Sequence, residues 1–464
     1  MSVVNAIPLI AAGDDGYNLT RSLRFRGAYP TAPSYLSRTA GTPTNNLKWT
    51  YSLWVKRGVL GVGQFLLNGG TGTSASEDYF AFFGSDKISF GQANASSTYL
   101  LTASVYRDPA AWYHIVFVYD SAQATASNRA LFYVNGVQVT SFSNATYPTL
   151  NQSTNINASG VLQRISSRTY AADEGFDGYI AEINFIDGQA LTPSSLGEFN
   201  IYNVWKPKKY VGTYGNNGFY LPFTNNASTT TLGYDFSGNG NNWTTTKISV
   251  TAGSTYDSMT DVPTLTSATA ANYAVLNPLT PPVNGSLSNG NLLFTGATDW
   301  GGSKSTFAIP TTGKWYAEFT IGSTTSNSAQ ADMGIFPAGN SNGYAWSGSY
   351  GLEINSGFFL VANGSYSTDR GGTTAGGTVL QIAVNADAGN VWFGVANAWY
   401  NTYNTTNGNP SAGTNPSGSG INFSAITYFM GVKTDLNNWA ANFGQRPFAY
   451  TPPTGYLALN TFNL

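Results

Sequence analysis

The chain has no cysteine and a single histidine, His114, among 464 residues. Without thiols it can form neither a disulfide nor a thiolate metal centre, and its redox compartment leaves no trace in the sequence. One histidine cannot build a histidine-rich zinc site. Charge is scarce as well. Asp, Glu, Lys and Arg together make up 9% of the chain, against about 25% in ordinary globular proteins. The formal net charge of −2 supplies no basic field, so neither nucleic acid nor an anionic membrane surface is an expected partner. No apolar run approaches the roughly 18–20 residues of a membrane span. The opening MSVVNAIPLIAAGDDGYN lacks a basic start and is interrupted by Asn5 and Pro8, which is unlike a secretory signal. Residues 1–18 read instead as an arm that lies on the body or on a partner.

Aromatic residues are plentiful, at 14%, so the low charge does not mean disorder. Polarity comes from Asn, Ser, Thr and Gly. The length calls for two or three domains.

The pattern is that of strands. In Trp112–Asp120, Tyr113, Ile115, Phe117 and Tyr119 alternate with Trp112, His114, Val116 and Val118, a period of two in aromatic and β-branched residues. Downstream, Asn135-Gly136 sits between apolar runs. A type I′ hairpin turn needs φ > 0 at both central residues, which this pair tolerates. Val379–Val384 and Asn390–Val395 repeat the logic around a turn that ends in Gly389. Further short strands are expected at Ser22–Phe25, Trp49–Lys56, Gln64–Leu67, Tyr79–Phe83, Ile88–Phe90, Tyr99–Val105, Gly178–Ile186, Lys314–Ile321 and Tyr428–Val432. One helical turn is expected at Thr192–Phe199, with Thr192 as cap and Pro193 behind it. The spacing predicts an all-β chain of two tandem antiparallel β-sandwiches of jelly-roll type. The expected layout is the 1–18 arm, a jelly roll over 19–205, a structured connector over 206–275 and a second sandwich over 276–464. The one basic cluster, Lys206-Pro207-Lys208-Lys209, falls in the connector, and residues 403–420 read as a long exposed loop.

Chemistry-bearing patterns are few. His114 lies mid-strand and no G-x-S-x-G elbow accompanies it, so it reads as structural. Glu182 and Asp187 are five apart, an odd spacing that puts them on opposite faces of a regular strand and not in one glycosidase pair. Asp173, Glu174 and Asp177 read as a solvated turn. Asp235, Ser237, Asn239 and Asn241 alternate in a Gly-rich turn. Such hard oxygen ligands could hold Ca²⁺, and the plainer reading is an Asx-rich turn closed by its own hydrogen bonds. The ligand-binding candidates are exposed aromatics: Tyr344, Trp346 and Tyr350 in GYAWSGSYG, and Trp399, Tyr400 and Tyr403 in NAWYNTY. They would stack on sugar rings, anchor a protein interface, or cap the sandwich ends.

Two resemblances follow from longer stretches. Residues of about 19–200, with SLRF, WTYSLWVK, AWYHIVFVYD, LFYVNG and GYIAEINFIDGQALT, resemble the laminin-G-like, concanavalin A-like jelly roll. Residues of about 290–464, with GKWYAEFTI, MGIF, IAVNADAGNVWFGVANAW and NFGQRPFAYTPPTGY, resemble a SPRY-type sandwich. They depart from it at Ala396-Asn397-Ala398, where a glycine is usual. The tandem is similar to virion surface proteins of tailed bacteriophages, especially marine and cyanobacterial phages. That similarity implies a non-enzymatic protein on the virion surface, a homo-oligomer assembled with other virion proteins. A tail-fibre-type adhesin for host glycan or protein is the first expectation. A capsid-decorating or head-fibre protein is the second, favoured by the short arm and the lack of a coiled shaft, and a glycan-degrading enzyme is the third. Concanavalin A-like members often bind glycans, sometimes through Ca²⁺, and SPRY members bind proteins through end loops.

Overall fold

A computed structural model describes residues 16–27, 33–92, 98–280, 284–297, 299–325, 330–340, 347–354, 358–367, 374–402 and 405–464. Two compact units emerge. One runs to Thr251 and takes in Tyr256–Thr266. The other comprises Ser267–Leu464 with Ala252–Thr255. Both are antiparallel β-sandwiches, as the alternation predicts.

In the first unit, Ala130–Val134, Trp112–Asp120, Lys48–Arg57, Gly178–Asp187 and Ser22–Phe25 lie side by side in one sheet. The second sheet runs Phe142–Thr146, Thr98–Thr102, Ile88–Gln92, Asp78–Phe82, Gln64–Gly70, Leu162–Ile165, Tyr35–Thr39, Thr244–Thr246. The alternation in Trp112–Asp120 sorts its side chains as expected. Ile115, Phe117 and Tyr119 enter the main core, while Val116 and Val118 join a smaller cluster with Ile186 and Leu196. Trp49 centres the core, with ring centroids 5.3 Å from Phe117, 5.4 Å from Tyr119 and 5.5 Å from Phe185. Asn135 and Gly136 have φ of 48° and 80°, which is the I′ signature.

Two expectations are corrected. The helical turn expected over Thr192–Phe199 starts as predicted, with Thr192 at its cap and Pro193 behind it, but is far shorter. Only Pro193–Ser195 makes a short 3-10 turn, and Gly197–Phe199 then pairs with Trp205–Pro207 as a hairpin. Gly197 favours this pairing because it gives Trp205 a flat seat: a Cβ there would lie 2.4 Å from the indole.

The 206–275 stretch is not a separate connector. Phe219–Leu221 pairs with Gly178–Asp187, Thr244–Thr246 with Tyr35–Thr39, and Ser258–Met259 with Ser22–Phe25. Buried ions fasten it further. The Lys56 ammonium lies 2.8 Å from Asp261, whose other oxygen accepts the Trp112 indole N–H at 3.1 Å. The Arg24 guanidinium lies 3.0 Å from Asp257.

In the second unit, Lys314–Ile321 sits between Asn438–Asn442 and Val379–Asn385, which continues to Asn390–Val395 and Ala398–Tyr400. The facing sheet runs Gly301–Lys304, Tyr428–Thr434, Ala331–Pro337, Tyr350–Ile354, Phe358–Ala362, Ser365–Tyr366. Gly389 has φ of 65° at the expected turn. Residues 405–420 are less free than their composition suggests. Thr414 accepts the Trp392 indole N–H, and the Val391 N–H donates to Gly418. On the second sheet Asp332 is fully buried opposite Glu353 in register, and among the described residues neither Asp332 oxygen has a hydrogen-bond partner. Burial first, and Glu353 second, push its carboxyl well above the usual range.

Candidate functional site: an aromatic row on the first unit

The solvent face of the first unit's second sheet carries a line of rings. In Asp78–Phe82, Phe80 and Phe82 enter the core, so Tyr79 points to the other face. Tyr79 pairs with Gly91, and Gly91 pairs on its far side with Tyr99. The glycine is what seats the ring. A Cβ at Gly91 would lie 2.3 Å from the Tyr79 ring, so only glycine lets that ring lie across the neighbouring strand. Phe65 lies 5.4 Å from Tyr79, Tyr79 6.3 Å from Phe83, and Phe83 5.9 Å from Tyr99. Phe65 is buried, the two tyrosines are half-buried and Phe83 is exposed. Burial raises both phenols, Tyr79 to about 12, so each hydroxyl stays protonated at neutral pH and can both donate and accept.

A polar wall flanks the row. Glu77 Oε2 accepts from Arg168 Nε and Nη2 at 3.0 and 2.9 Å, and its Oε1 from Thr169 Oγ1 and the Tyr170 N–H at 3.2 and 2.8 Å. The Arg168 guanidinium also lies 5.6 Å from the Phe65 ring and 5.7 Å from that of Tyr170. Asp173 and Glu174 approach Arg168 at 4.0 and 3.9 Å. The guanidinium is thus held flat and its charge is more than matched by acids. Asp177 departs from the expected solvated turn: it is buried and accepts the Gly27 N–H. Half-exposed rings beside fixed polar groups suit a ligand with flat C–H faces and hydroxyl edges. Sequence reasoning placed these rings in strands and stopped there. The available signal was DYFAFF, a strand aromatic on both faces.

The other candidates fall as follows. Tyr344, Trp346 and Tyr403 lie outside the described residues. Tyr350, Trp399 and Tyr400 are half-buried. The Tyr350 ring lies 6.3 Å from Tyr428, Tyr400 stacks on Phe358 at 6.2 Å, and Trp399 packs towards Tyr316 in a cluster with Trp392 and Tyr456. Ser417 and Gly418 run between Tyr350 and Tyr400, with Ser417 Oγ donating to the Tyr400 carbonyl.

Asp235 accepts four hydrogen bonds, all at 2.8 Å: the Tyr220 and Ser237 N–H on one oxygen, and Ser237 Oγ and the Asn241 N–H on the other. Asn239 and Asn241 turn their amide groups to the carbonyls of Gly218 and its neighbours Gly215 and Asn216. These contacts match an Asx-type turn.

Glu182 and Asp187 have separate surroundings. Glu182 sits in a bulge at φ of 48°, under Tyr17 and Tyr220, whose hydroxyls bond to each other. Burial raises its carboxyl to about 8, against the hydrogen bond from Tyr17. Asp187 instead accepts the backbone N–H groups of Thr44, Asn45 and Asn217 and the Asn157 amide.

His114 is 2.8 Å from Ser52 Oγ through Nε2, a pair that invites a catalytic reading. The geometry opposes it. The Trp205 indole N–H donates to Nδ1 at 2.9 Å, so Nδ1 carries no proton and Nε2 holds it. A general base for serine needs the Nε2 lone pair free. The imidazole stacks on Trp54 at 4.7 Å, and burial lowers it to about 3.

Residues 31–196 match the family model described as Concanavalin A-like lectin/glucanases superfamily, Laminin_G_3. No curated protein matches the chain in sequence. Among solved structures, the SPRY domain of human HERC1 is similar at 14% identity over 38% of this chain and 99% of its own, with a TM-score of 0.28. A carbohydrate-binding protein from Bacteroides ovatus, so described provisionally, aligns at 14% identity over 49% of this chain and 58% of its own, with a TM-score of 0.31. The CBM40 of the Ruminococcus gnavus IT-sialidase aligns at 12% identity over 34% and 92%, with a TM-score of 0.26.

Proposed function

We propose that this chain is a non-catalytic glycan-binding protein displayed on a virion surface, an adhesin of the tail-fibre type that grips a host polysaccharide. The row Tyr79, Phe83, Tyr99 carries the reading, as a rigid strip of rings on a sheet face with polar groups at its side. The match of residues 31–196 to a lectin and glucanase family supports it. Within that family description, binding is preferred to hydrolysis. His114 is in the wrong tautomer for a base, and Glu182 and Asp187 serve different networks. Asp173, Glu174 and Glu77 outweigh Arg168 beside the row, so neutral glycans are the ligand class and acidic ones are repelled. The support for the virion setting is the resemblance of the tandem to virion surface proteins.

The test is a titration of purified protein against neutral and uronic-acid-containing host surface polysaccharides. Binding of the neutral class, lost in Tyr79→Ala and Tyr99→Ala, is expected. Reducing ends released from the polysaccharide and abolished in Glu182→Gln would replace binding by hydrolysis. Locating the chain by cryo-electron microscopy of the particle tests the setting. Density at capsid vertices or hexamer centres sinks the tail-fibre version.

A further inference from the structure

The hairpin Gly197–Phe199/Trp205–Pro207 belongs to neither large sheet of the first unit. An isolated two-stranded hairpin is marginal in water, and this one is anchored through Trp205. The indole is clamped between Gly136 and Gly197, where Cβ atoms would come within 2.5 and 2.4 Å, and its N–H is bound to His114. What the anchor holds out is apolar. Ile201 is 91% exposed, Tyr202 58%, Phe199 50% and Val204 46%, with Val211 91% exposed just beyond. Beside the hairpin runs an open groove of about 520 Å³, lined by Tyr133, Pro193, Phe199 and Trp205. A contiguous apolar tip beside an aromatic groove, in a chain so rich in neutral polar residues, marks a contact site.

Charge selects the occupant. Lys208 and Lys209 border the tip beside Lys206, and among the described residues Glu198 lies 3.6 Å from Lys206 and 3.8 Å from Lys208. The two exposed lysines, Lys208 and Lys209, with Glu198 shared between Lys206 and Lys208, leave the exit of the hairpin positive. A second copy docking isologously would bring two such positive patches together. We propose that this hairpin and groove bind an acidic segment of another protein, one that sets an aromatic or branched aliphatic side chain into the groove and its carboxylates against the lysines. The site is separate from the aromatic row and carries a different kind of ligand.

The experiment selects an mRNA-displayed library of random dodecapeptides on the full chain. A parallel selection uses the Ile201→Asp/Tyr202→Asp double variant, whose changes lie at an exposed tip and leave the thermal midpoint near that of the parent. Peptides retained by the parent alone, rich in Asp and Glu around Trp, Phe, Leu or Ile, are the expected result. Their affinity falls at least tenfold in the double variant and in Lys208→Glu/Lys209→Glu, and weakens as salt is added. Basic or uncharged peptides, equal retention by the variant, or no enrichment would overturn the proposal. So would sedimentation showing a parent dimer that the double variant abolishes, since the occupant would then be a second copy.

Discussion

Asp261→Ala tests how firmly the Tyr256–Thr266 segment is built into the first unit. Asp261 and Lys56 side chains are both fully buried, 2.8 Å apart. Removing one partner of a buried pair costs about 3–5 kcal/mol, because the remaining charge has lost its counter-ion. The Trp112 indole N–H also loses its acceptor, at about 1–3 kcal/mol for an unsatisfied buried donor. The two losses share one site and do not add fully, so about 4–6 kcal/mol is expected. With a urea m-value of about 2.5 kcal/mol/M for a unit of this size, the midpoint falls by about 2 M. Hydrogen exchange of the backbone amides in Lys48–Arg57 and Trp112–Asp120 isolates the first unit's transition. The control is Lys56→Met/Asp261→Asn. It removes both charges yet leaves an amide to accept from Trp112, and it stays within about 1.5 kcal/mol of the parent. A fall below about 0.4 M for Asp261→Ala, the range of an exposed ion pair, would refute the claim that this segment is part of the sandwich.

His114 makes the first unit acid-sensitive. Its folded value near 3 lies below the unfolded 6.5, so the unfolded chain takes up the proton first and stability falls as pH drops from about 6.5 towards 3. Between pH 6.5 and 4.5 the loss is about 2.3 kcal/mol, the slope growing from half of 1.36 kcal/mol per unit at pH 6.5 to nearly all of it, and His114→Gln flattens that slope in pH-resolved urea melts. Gly91→Val lifts the Tyr79 ring off its seat, and polysaccharide affinity drops about tenfold, as for loss of one aromatic contact worth about 1–1.5 kcal/mol, with the far-ultraviolet spectrum unchanged. Gly136→Ala meets both the positive φ and the Trp205 ring 2.5 Å away. It destabilises by about 1–3 kcal/mol and restores a titrating imidazole signal in NMR. In the second unit Asp332 has its carboxyl raised by burial and by Glu353. Its contribution is present below the ordinary carboxylate range and is lost as pH rises, so Asp332→Asn raises the melting temperature at pH 8 more than at pH 4.

Much of the architecture was legible because alternation is a local property. Ser22–Phe25, Lys314–Ile321 and Asn390–Val395 are strands over the very residues the pattern marks. Pairing partners were not legible in the same way. Phe219–Leu221 and Thr244–Thr246 are three-residue strands that exist because long-range neighbours offer free edges, and no window around them carries a period. Hence a built-in part of the first sandwich read as a connector. The aromatic row failed for a related reason. Tyr79 and Tyr99 meet across Gly91, and a glycine reads as a weak point in a strand until its neighbours are known. Strand parity places Glu182 on a regular face, yet it sits in a bulge whose backbone a sequence does not announce.

Seating the rings on sheet strands has a consequence for where such a contact can operate. Stacking against C–H faces depends on shape and apolar area, and dissolved ions hardly attenuate it, whereas an interaction between exposed charges is damped within about 8 Å at physiological ionic strength. A grip built from Tyr79, Phe83 and Tyr99 would hold with nearly equal strength in fresh water and in brine. The lysine-bordered hairpin, by contrast, would loosen as salinity rises. One molecule would thus carry two attachments, one indifferent to the medium and one weakened by it, and salt alone could tell them apart.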